Sequence, residues 1–432
     1  MHHFHYQDGQ LYCEEVPVLS LAKKHGTPLF IYSQNTFLDH YNKLHDALAP
    51  LDHLICYAMK SNSNLAVLST LAKAGSGFDI VSEGELRRAV AAGGSAEKCV
   101  FAGVGKSAQE IEAALRAGIY SFNVESEPEV ERINAIAAKI RKVAPIAVRV
   151  NPNIDAGTHA KITTGTYENK FGIAFERIEE VYARASKLKN IKLRGLQMHI
   201  GSQLTQVDPF RKAVEKVAPL AARLAAAHGI EFFSIGGGLG IIYQDALASG
   251  QAKWWKRPEA KDILTPQLYA QTLVPILKPL GLRVLIEPGR FISGNAGILV
   301  ARVEYVKKTG KKNFVIVDAA MNDLIRPAFY DAYHQIIPVT KKAGATVSSD
   351  VVGPICESGD YFAKDRPLPK VGDGDYIALL SAGAYGSVMS SNYNSRPIAA
   401  EVLVNGSKAS LVRERQSFDD IWRLERVPSW AK

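Results

Sequence analysis

The 432-residue chain reads as an α/β protein, an eight-stranded β/α (TIM-type) barrel joined to a mainly antiparallel β-barrel domain. Eight short apolar runs, many of them β-branched, carry the first half of that reading: residues 55–59, 78–81, 100–102, 122–124, 146–150, 193–200, 232–235 and 284–286. Amphipathic stretches long enough for a helix separate them, and alternation of this kind closes into a parallel barrel. The second observation is a change of rhythm after Glu287. Strand-like runs then follow one another at 298–306, 313–318, 346–352, 376–380, 401–405 and 409–412, punctuated by turns at Thr309-Gly310 and Asn405-Gly406. Length is the third, because a barrel of about 250 residues leaves enough chain for another core.

The expected boundaries are 34–284 for the barrel, with 1–33 and 285–432 forming the β domain. The start belongs to the latter because Gln10-Leu11-Tyr12 and Pro28-Leu29-Phe30-Ile31-Tyr32 read as strands ahead of the first barrel helix. No internal repeat or low-complexity segment interrupts this plan.

Bulk composition narrows the function classes. The formal charge is +9, but basic residues are interspersed with acidic ones and no Arg/Lys run alternates with aromatics, which argues against nucleic acid. Cys13, Cys56, Cys99 and Cys356 are too scattered for a disulfide framework or a zinc site, and point to a reducing cytoplasm. His2, His3 and His5 sit at a start expected to be disordered rather than metal-bound. Neither a leader nor an apolar stretch of bilayer length is expected, so no membrane association follows.

In a β/α barrel the C-terminal ends of the strands build the site. Here they bring Lys60, Asp79 with Ser82 and Glu83, Asn123 with Glu125, Arg149 with Asn151, and His199 with Ser202. The glycine run Gly236-Gly237-Gly238-Leu239-Gly240 and then Glu287-Pro288-Gly289-Arg290 follow the last two strands. Strand ends meet polar loops in any barrel, so the chemical types decide.

A lysine shielded from water loses its proton more easily and can attack an aldehyde, although a single lysine is more often ion-paired or snorkelling. Glycine amides after the seventh strand can approach a phosphate that side chains would block, although a tight turn needs glycine too. Lysine and phosphate cradle together suggest pyridoxal phosphate, which further requires an acid beside its ring nitrogen. Glu287 is the candidate, against a plain salt bridge to Arg290. His199 offers a flat ring for stacking and Ser202 a hydroxyl for phosphate, against a satisfied core histidine.

Taken together, Tyr57-Ala58-Met59-Lys60-Ser61-Asn62, His199-Ile200-Gly201-Ser202-Gln203, Gly236–Gly240, Glu287–Arg290 and Cys356-Glu357-Ser358-Gly359-Asp360 resemble the alanine-racemase-like (fold type III) pyridoxal phosphate decarboxylases over nearly the whole chain. The segment Met321-Asn322-Asp323-Leu324-Ile325-Arg326-Pro327-Ala328-Phe329-Tyr330 and the stretch from Asn151-Pro152-Asn153 to Lys170-Phe171-Gly172 are similar to the branch that decarboxylates diaminopimelate. The departures, Ser61 after the lysine and Phe329 before the tyrosine, touch no proposed bond-making group.

The resemblance implies roles residue by residue. Lys60 bears the cofactor, with His199, Ser202, Gly237, Gly238, Gly240, Glu287, Gly289, Arg290 and Tyr385 around it. Arg290, Arg326 and Tyr330 take the distal carboxylate of the substrate, Glu357 its distal ammonium, and Tyr385 lies between substrate and phosphate. An arginine fork suits a carboxylate; the bland alternative for Arg326 is a helix-start cation facing solvent, with Pro327 at the first helical position. Lys60, His199, Glu287 and Cys356 are the implied catalytic set, with Cys356 returning a proton to Cα from the partner subunit of a homodimer; a buried structural cysteine is the alternative. No metal is implied. The expected reaction converts meso-2,6-diaminopimelate to lysine and carbon dioxide.

Rival readings are an ornithine, arginine or carboxynorspermidine decarboxylase of the same fold, an amino-acid racemase, and, from a different class, an inactive decarboxylase-like regulatory protein. A nucleotide-binding module fails for lack of a Gly-Lys-Ser/Thr ending at 236–240.

Overall fold

The computed structural model describes residues 2–154 and 170–431. The stretch from Asn151 to Gly172 singled out above therefore lies partly outside the described residues. The chain divides into two compact units, one of Phe37–Ile241 with Lys256–Ile292, the other of Met1–Thr36, Ile242–Trp255 and Ser293–Lys432. Against the expected boundaries at 34 and 284, the barrel unit runs on through Glu287 and Arg290, and residues 242–255 go to the β unit.

In the barrel unit eight parallel strands pair in sequence: His53–Ala58, Gly77–Ile80, Cys99–Phe101, Ser121–Val124, Ala144–Asn151, Ile191–Met198, Phe232–Ser234 and Arg283–Ile286. The eighth closes on the first through Val284 opposite His53 and Ile286 opposite Ile55. A two-residue strand, Ile173–Ala174, adds to the edge of the fifth. The eight apolar runs of the sequence are these strands.

Local chemistry starts the barrel helices close to the strand ends. Ser82 accepts from the Glu85 amide to cap Glu83–Ala91, and Asn64 accepts from Ala66 to cap Leu65–Lys73. Ser107 and Glu110 form a reciprocal capping box for Ala108–Ala117, which Gly118 ends in the left-handed conformation. The longest helix, Asp208–His228, buries Phe210, Val214, Val217, Ala221 and Leu224, spaced three and four apart as one face requires.

Inside the barrel the side chains interlock. A Cβ on Gly195 would lie 2.5 Å from the ring of Phe232, so only glycine lets that fully buried ring fill the interior. Each such buried aromatic is worth about 1.5–3 kcal/mol against exposure.

The β unit is a mostly antiparallel sheet in which Gly297–Lys308 is the spine, pairing with Leu29–Ser33, Asn313–Val317 and Tyr376–Leu379. Two pairings are parallel, Asn313–Val317 with Thr346–Val352 and Leu29–Ser33 with Ala400–Asn405. The strand order is an open, branched path among the described residues rather than a closed ring. Tyr361–Pro369 and Ile336–Pro338 are strands that the sequence pattern did not reveal. A three-stranded sheet over Phe4–Gln7, Gln10–Cys13 and Val16–Pro17 packs its Phe4, Leu11 and Cys13 into the same core as Leu29, Ile31, Ile298, Val300 and Val402. Buried Glu14 ties this start down by accepting from Ser33 Oγ, the Asn35 amide and the Gly406 amide.

Among the described residues no helix is long and apolar enough to cross a membrane, and no cluster of three or more His, Cys, Asp or Glu side chains is arranged to hold a metal ion.

Candidate active site

The barrel unit gathers its polar groups at the C-terminal ends of the strands. The first strand stops at Ala58, and Lys60 stands just beyond it in the one-turn 3-10 helix Met59–Ser61. That turn is fixed by Ser61 Oγ, which donates to the carbonyl of Ala58 at 2.8 Å and lies 3.0 Å from the hydroxyl of Tyr57. The ammonium of Lys60 lies 2.6 Å from Oδ2 of Asp79, which ends the second strand; the lysine side chain is 43% exposed and the aspartate 1%. Asp79 is thus the ionic partner of the lysine, a role the sequence left unassigned.

Glu287 follows the eighth strand and is buried. Its Oε1 accepts from Ser234 Oγ at 2.8 Å and Asn123 Nδ2 at 3.2 Å, and its Oε2 from Gln197 Nε2 at 2.9 Å. Burial first, and then the charge of Asp79, raise its carboxyl to about 7, against the pull of Ser234, Lys60 and Gln197. The salt bridge to Arg290 is not formed among the described residues: Arg290 Nη2 donates instead to Ser202 Oγ at 3.1 Å. Gln197 and Ser234 escaped the sequence reading because they sit inside apolar runs; an uncharged polar side chain in a fully buried strand was the available signal.

His199 follows the sixth strand, and its Nδ1 accepts from the amide of Gly237 at 3.2 Å. Burial first, then the positive charges of Arg149 and Lys60, hold it well below the ordinary histidine value, so its ring is neutral. Arg149 pairs with Glu125 at 2.9 Å and lies over the ring of Phe171 at 4.7 Å. Glu83, by contrast, forms a surface pair with Arg87.

The glycine loop is pressed against the barrel. A Cβ at Gly237 would lie 2.2 Å from the Glu287 carbonyl oxygen, and Gly238 combines a φ of +110° with a site where a Cβ would lie 2.5 Å from the Gly201 carbonyl oxygen. Packing alone therefore requires glycine here. The amides of Gly236, Gly237 and Gly240 are spent on Ser234 Oγ, His199 Nδ1 and the Leu204 carbonyl. Those of Gly238 and Leu239 have no acceptor among the described residues. Gly289 packs against Ala58 and Ser61, where a Cβ would approach both Cβ atoms to 3.1 Å.

These groups fit pyridoxal phosphate. A part-exposed lysine amine, a buried carboxylate held only by neutral donors, a neutral imidazole, and unspent loop amides near Ser202 and Arg290 supply what an aldehyde, a cationic ring nitrogen, a flat ring and a phosphate require. Oδ1 of Asp79, Oδ1 of Asn123 and Oε1 of Gln197 are buried without partners among the described residues, as acceptors reserved for a ligand or water would be.

The β unit carries the remaining predicted residues. Arg326 opens the short helix Arg326–Tyr330 and is 6% exposed, so it is no solvent-facing helix-start cation. Its Nη1 lies 2.8 Å from His334 Nε2 and its guanidinium 4.9 Å from the centre of the Tyr243 ring. Tyr243 and His334 had no local signal in the sequence. Tyr330 is half-buried, its ring edge-on to exposed Phe329. Cys356 is exposed with a free thiol, not a buried structural cysteine, and Glu357 accepts from Tyr393 at 2.9 Å. Asp360 holds their segment, accepting from the amides of Met321 and Ile355 at 2.7 Å each. Tyr385 is half-buried with φ +55°.

Residues 34–294 match the family described as pyridoxal-dependent decarboxylase, pyridoxal binding domain. The chain is 48% identical over 430 residues to the diaminopimelate decarboxylase of Vibrio cholerae serotype O1, covering 99% of each. Among solved structures, it resembles diaminopimelate decarboxylase from Helicobacter pylori complexed with L-lysine, with a TM-score of 0.87, 42% identity and coverage of 94% of this chain and 98% of that one. The enzyme of the same name from M. jannaschii, in co-complex with L-lysine, superposes with a TM-score of 0.91 at 34% identity over 99% of each chain. A motif set read from five separated segments, a barrel end built for the cofactor and full-length likeness to these enzymes agree: the chain belongs to the pyridoxal-dependent decarboxylase family.

Proposed function

We propose that the chain removes one carboxyl group from meso-2,6-diaminopimelate, releasing L-lysine and carbon dioxide. Arg326 carries the substrate reading. A substrate with an amino-acid group at each end leaves a carboxylate to be held while the other end reacts, and ornithine or arginine has none. A buried guanidinium beside an imidazole and an aromatic face offers a planar fork that suits such a carboxylate. The relatives' names and the lysine complexes of two neighbours support the same substrate and product.

Pyridoxal phosphate, when bound, supplies an aldehyde for the substrate amine and a ring that accepts the electron pair left on Cα as carbon dioxide departs. Lys60 would hold the aldehyde end of the cofactor through Nζ. Glu287 would face the ring nitrogen and hold a proton there. His199 would cover one ring face, while Ser202, Gly237, Gly238, Gly240, Gly289, Arg290 and Tyr385 would hold the cofactor and its phosphate. Arg290, Arg326 and Tyr330 take the distal carboxylate, Glu357 the distal ammonium, and Tyr385 also meets the substrate. With the distal end fixed, the reacting carboxylate is oriented so that the C–C bond breaks in preference to Cα–H. Cys356 then gives its thiol proton to Cα.

The working protein is a homodimer in which Cys356 and Glu357 serve the partner's site, located in a reducing cytoplasm where four free thiols persist. The barrel domain binds the cofactor and the β domain completes the substrate contacts. The test is product identification with meso-diaminopimelate, ornithine, arginine and lysine as separate substrates of the cofactor-loaded protein. Lysine and carbon dioxide from diaminopimelate alone is the expected result; a diamine from ornithine or lysine at comparable rate overturns the substrate, and no turnover of any overturns the enzyme.

A further inference from the structure

The N-terminal ends of the barrel strands carry a second concave feature. A cavity of about 320 Å³ opens there, with Leu54, Ala74 and Tyr120 among its apolar walls. A volume of this size holds a small organic ligand. It lies at the opposite end of the first strand from Lys60, about 20 Å away at the usual rise of roughly 3.3 Å per residue.

Its polar wall is weighted toward positive charge. Lys98 and Arg283 line it, with Glu97 as the acidic counterpart. The ammonium of Lys98 makes one long contact, 3.3 Å to the Gly75 carbonyl, and no ion pair among the described residues. Arg283 has Asp52 Oδ1 at 3.2 Å from its Nε, but the geometry is wrong for a hydrogen bond. That Nε is buried, while the two Nη groups, on a side chain 39% exposed, make no hydrogen bond among the described residues, and the aspartate is 70% exposed to screening water. Two donor groups thus have unspent capacity beside an apolar surface.

The histidines of the wall do not cancel this. His53 Nδ1 lies 3.0 Å from the Leu51 carbonyl and so donates to it, which leaves Nε2 to accept from His45 Nδ1 at 2.9 Å. This relay makes the His53 ring neutral and fixes it in place.

We propose that this cavity is a binding site for a small organic anion, a carboxylate or phosphate ester on a short apolar or aromatic body, held by Lys98 and Arg283 over Leu54 and Tyr120. The site is separate from the catalytic end of the barrel and does not depend on the substrate assigned above.

Titration calorimetry on the cofactor-loaded protein, with benzoate and phenyl phosphate as the two anionic probes and benzylamine as the cationic control, tests it. At least one anion is expected to bind saturably, one per chain, with Kd of about 0.1–1 mM. Lys98→Met and Arg283→Gln, both at part-exposed positions remote from the chemistry, should each weaken it about tenfold or more, the worth of one charge-assisted hydrogen bond. Saturating diaminopimelate should leave it unchanged. No saturable binding of either anion by about 10 mM overturns the proposal. So does binding that survives both substitutions, that substrate displaces, or that benzylamine matches.

Discussion

Arg326 and His334 are joined by a contact of 2.8 Å between Nη1 and Nε2, and Nδ1 of the same ring lies 2.8 Å from the Leu380 carbonyl oxygen. A carbonyl only accepts, so Nδ1 carries the proton and Nε2 is the acceptor for arginine. The neutral ring therefore aims the guanidinium without neutralising it. His334→Leu removes the acceptor that aims the arginine. We expect KM for diaminopimelate to rise roughly 10- to 100-fold, the worth of a hydrogen bond to a charged group, with kcat changing less. Steady-state kinetics separates the two; an unchanged KM would remove His334 from the account.

Three neutral donors, Ser234, Asn123 and Gln197, hold the Glu287 carboxylate. Replacing Gln197 with leucine or Ser234 with alanine takes away a bond that only the ionised form fully uses, so the carboxyl should titrate still higher than about 7. Infrared titration of the protonated carboxyl band in cofactor-free protein reads this directly. The same variants should lose cofactor faster on dialysis.

The raised carboxyl of Glu287 has a consequence for stability. Its folded value of about 7 exceeds the ordinary 4.5, so between those pH values the folded chain keeps a proton that the unfolded chain has released. Stability from this group is thus intact below about 4.5 and falls as pH rises through about 7. The loss is on the order of 3–4 kcal/mol at one pKa unit per 1.4 kcal/mol. Cofactor-free Glu287→Gln, which cannot ionise, should lose less Tm than the parent between about pH 5 and pH 8. Equal losses would contradict it.

Lys106 and Glu129 form a buried pair at 2.7 Å, and the same ammonium donates to the carbonyls of Gly103 and Asn123. Removing one partner strands the other charge in the interior. Lys106→Met alone should cost about 3–5 kcal/mol, and the double variant Lys106→Met, Glu129→Leu should recover a large part of it. Denaturant unfolding of the parent, Lys106→Met, Glu129→Leu and the double variant gives the coupling; additive losses would mean the pair is not coupled.

Sequence and structure agree most closely where the signal is local. Each barrel strand is an apolar run, and Lys60, His199 and Glu287 stand at or just past strand ends because an inward side chain there leaves the packed interior. Tyr361–Pro369 was invisible because Lys364, Asp365, Arg366 and two prolines break the apolar alternation; it is a strand by pairing antiparallel with Thr346–Val352. Residues 242–255 gave no hint that they leave the barrel unit, since what holds them is tertiary: Ala246 accepts from His2, and Asn295 donates to Ile242. The supporting partners were equally hidden. Gln197 and Ser234 are single polar residues within apolar runs, and Tyr243 meets Arg326 only through folding.

The most direct test is the ratio of kcat/KM for meso-diaminopimelate to that for ornithine, measured in the parent and in Arg326→Ala. If Arg326 holds the distal carboxylate, the substitution lowers the diaminopimelate value by about 100-fold or more, as loss of a charge-assisted, bidentate contact does, and leaves any ornithine value nearly untouched. A proportional fall in both, or a parent enzyme that prefers ornithine, would contradict the assignment.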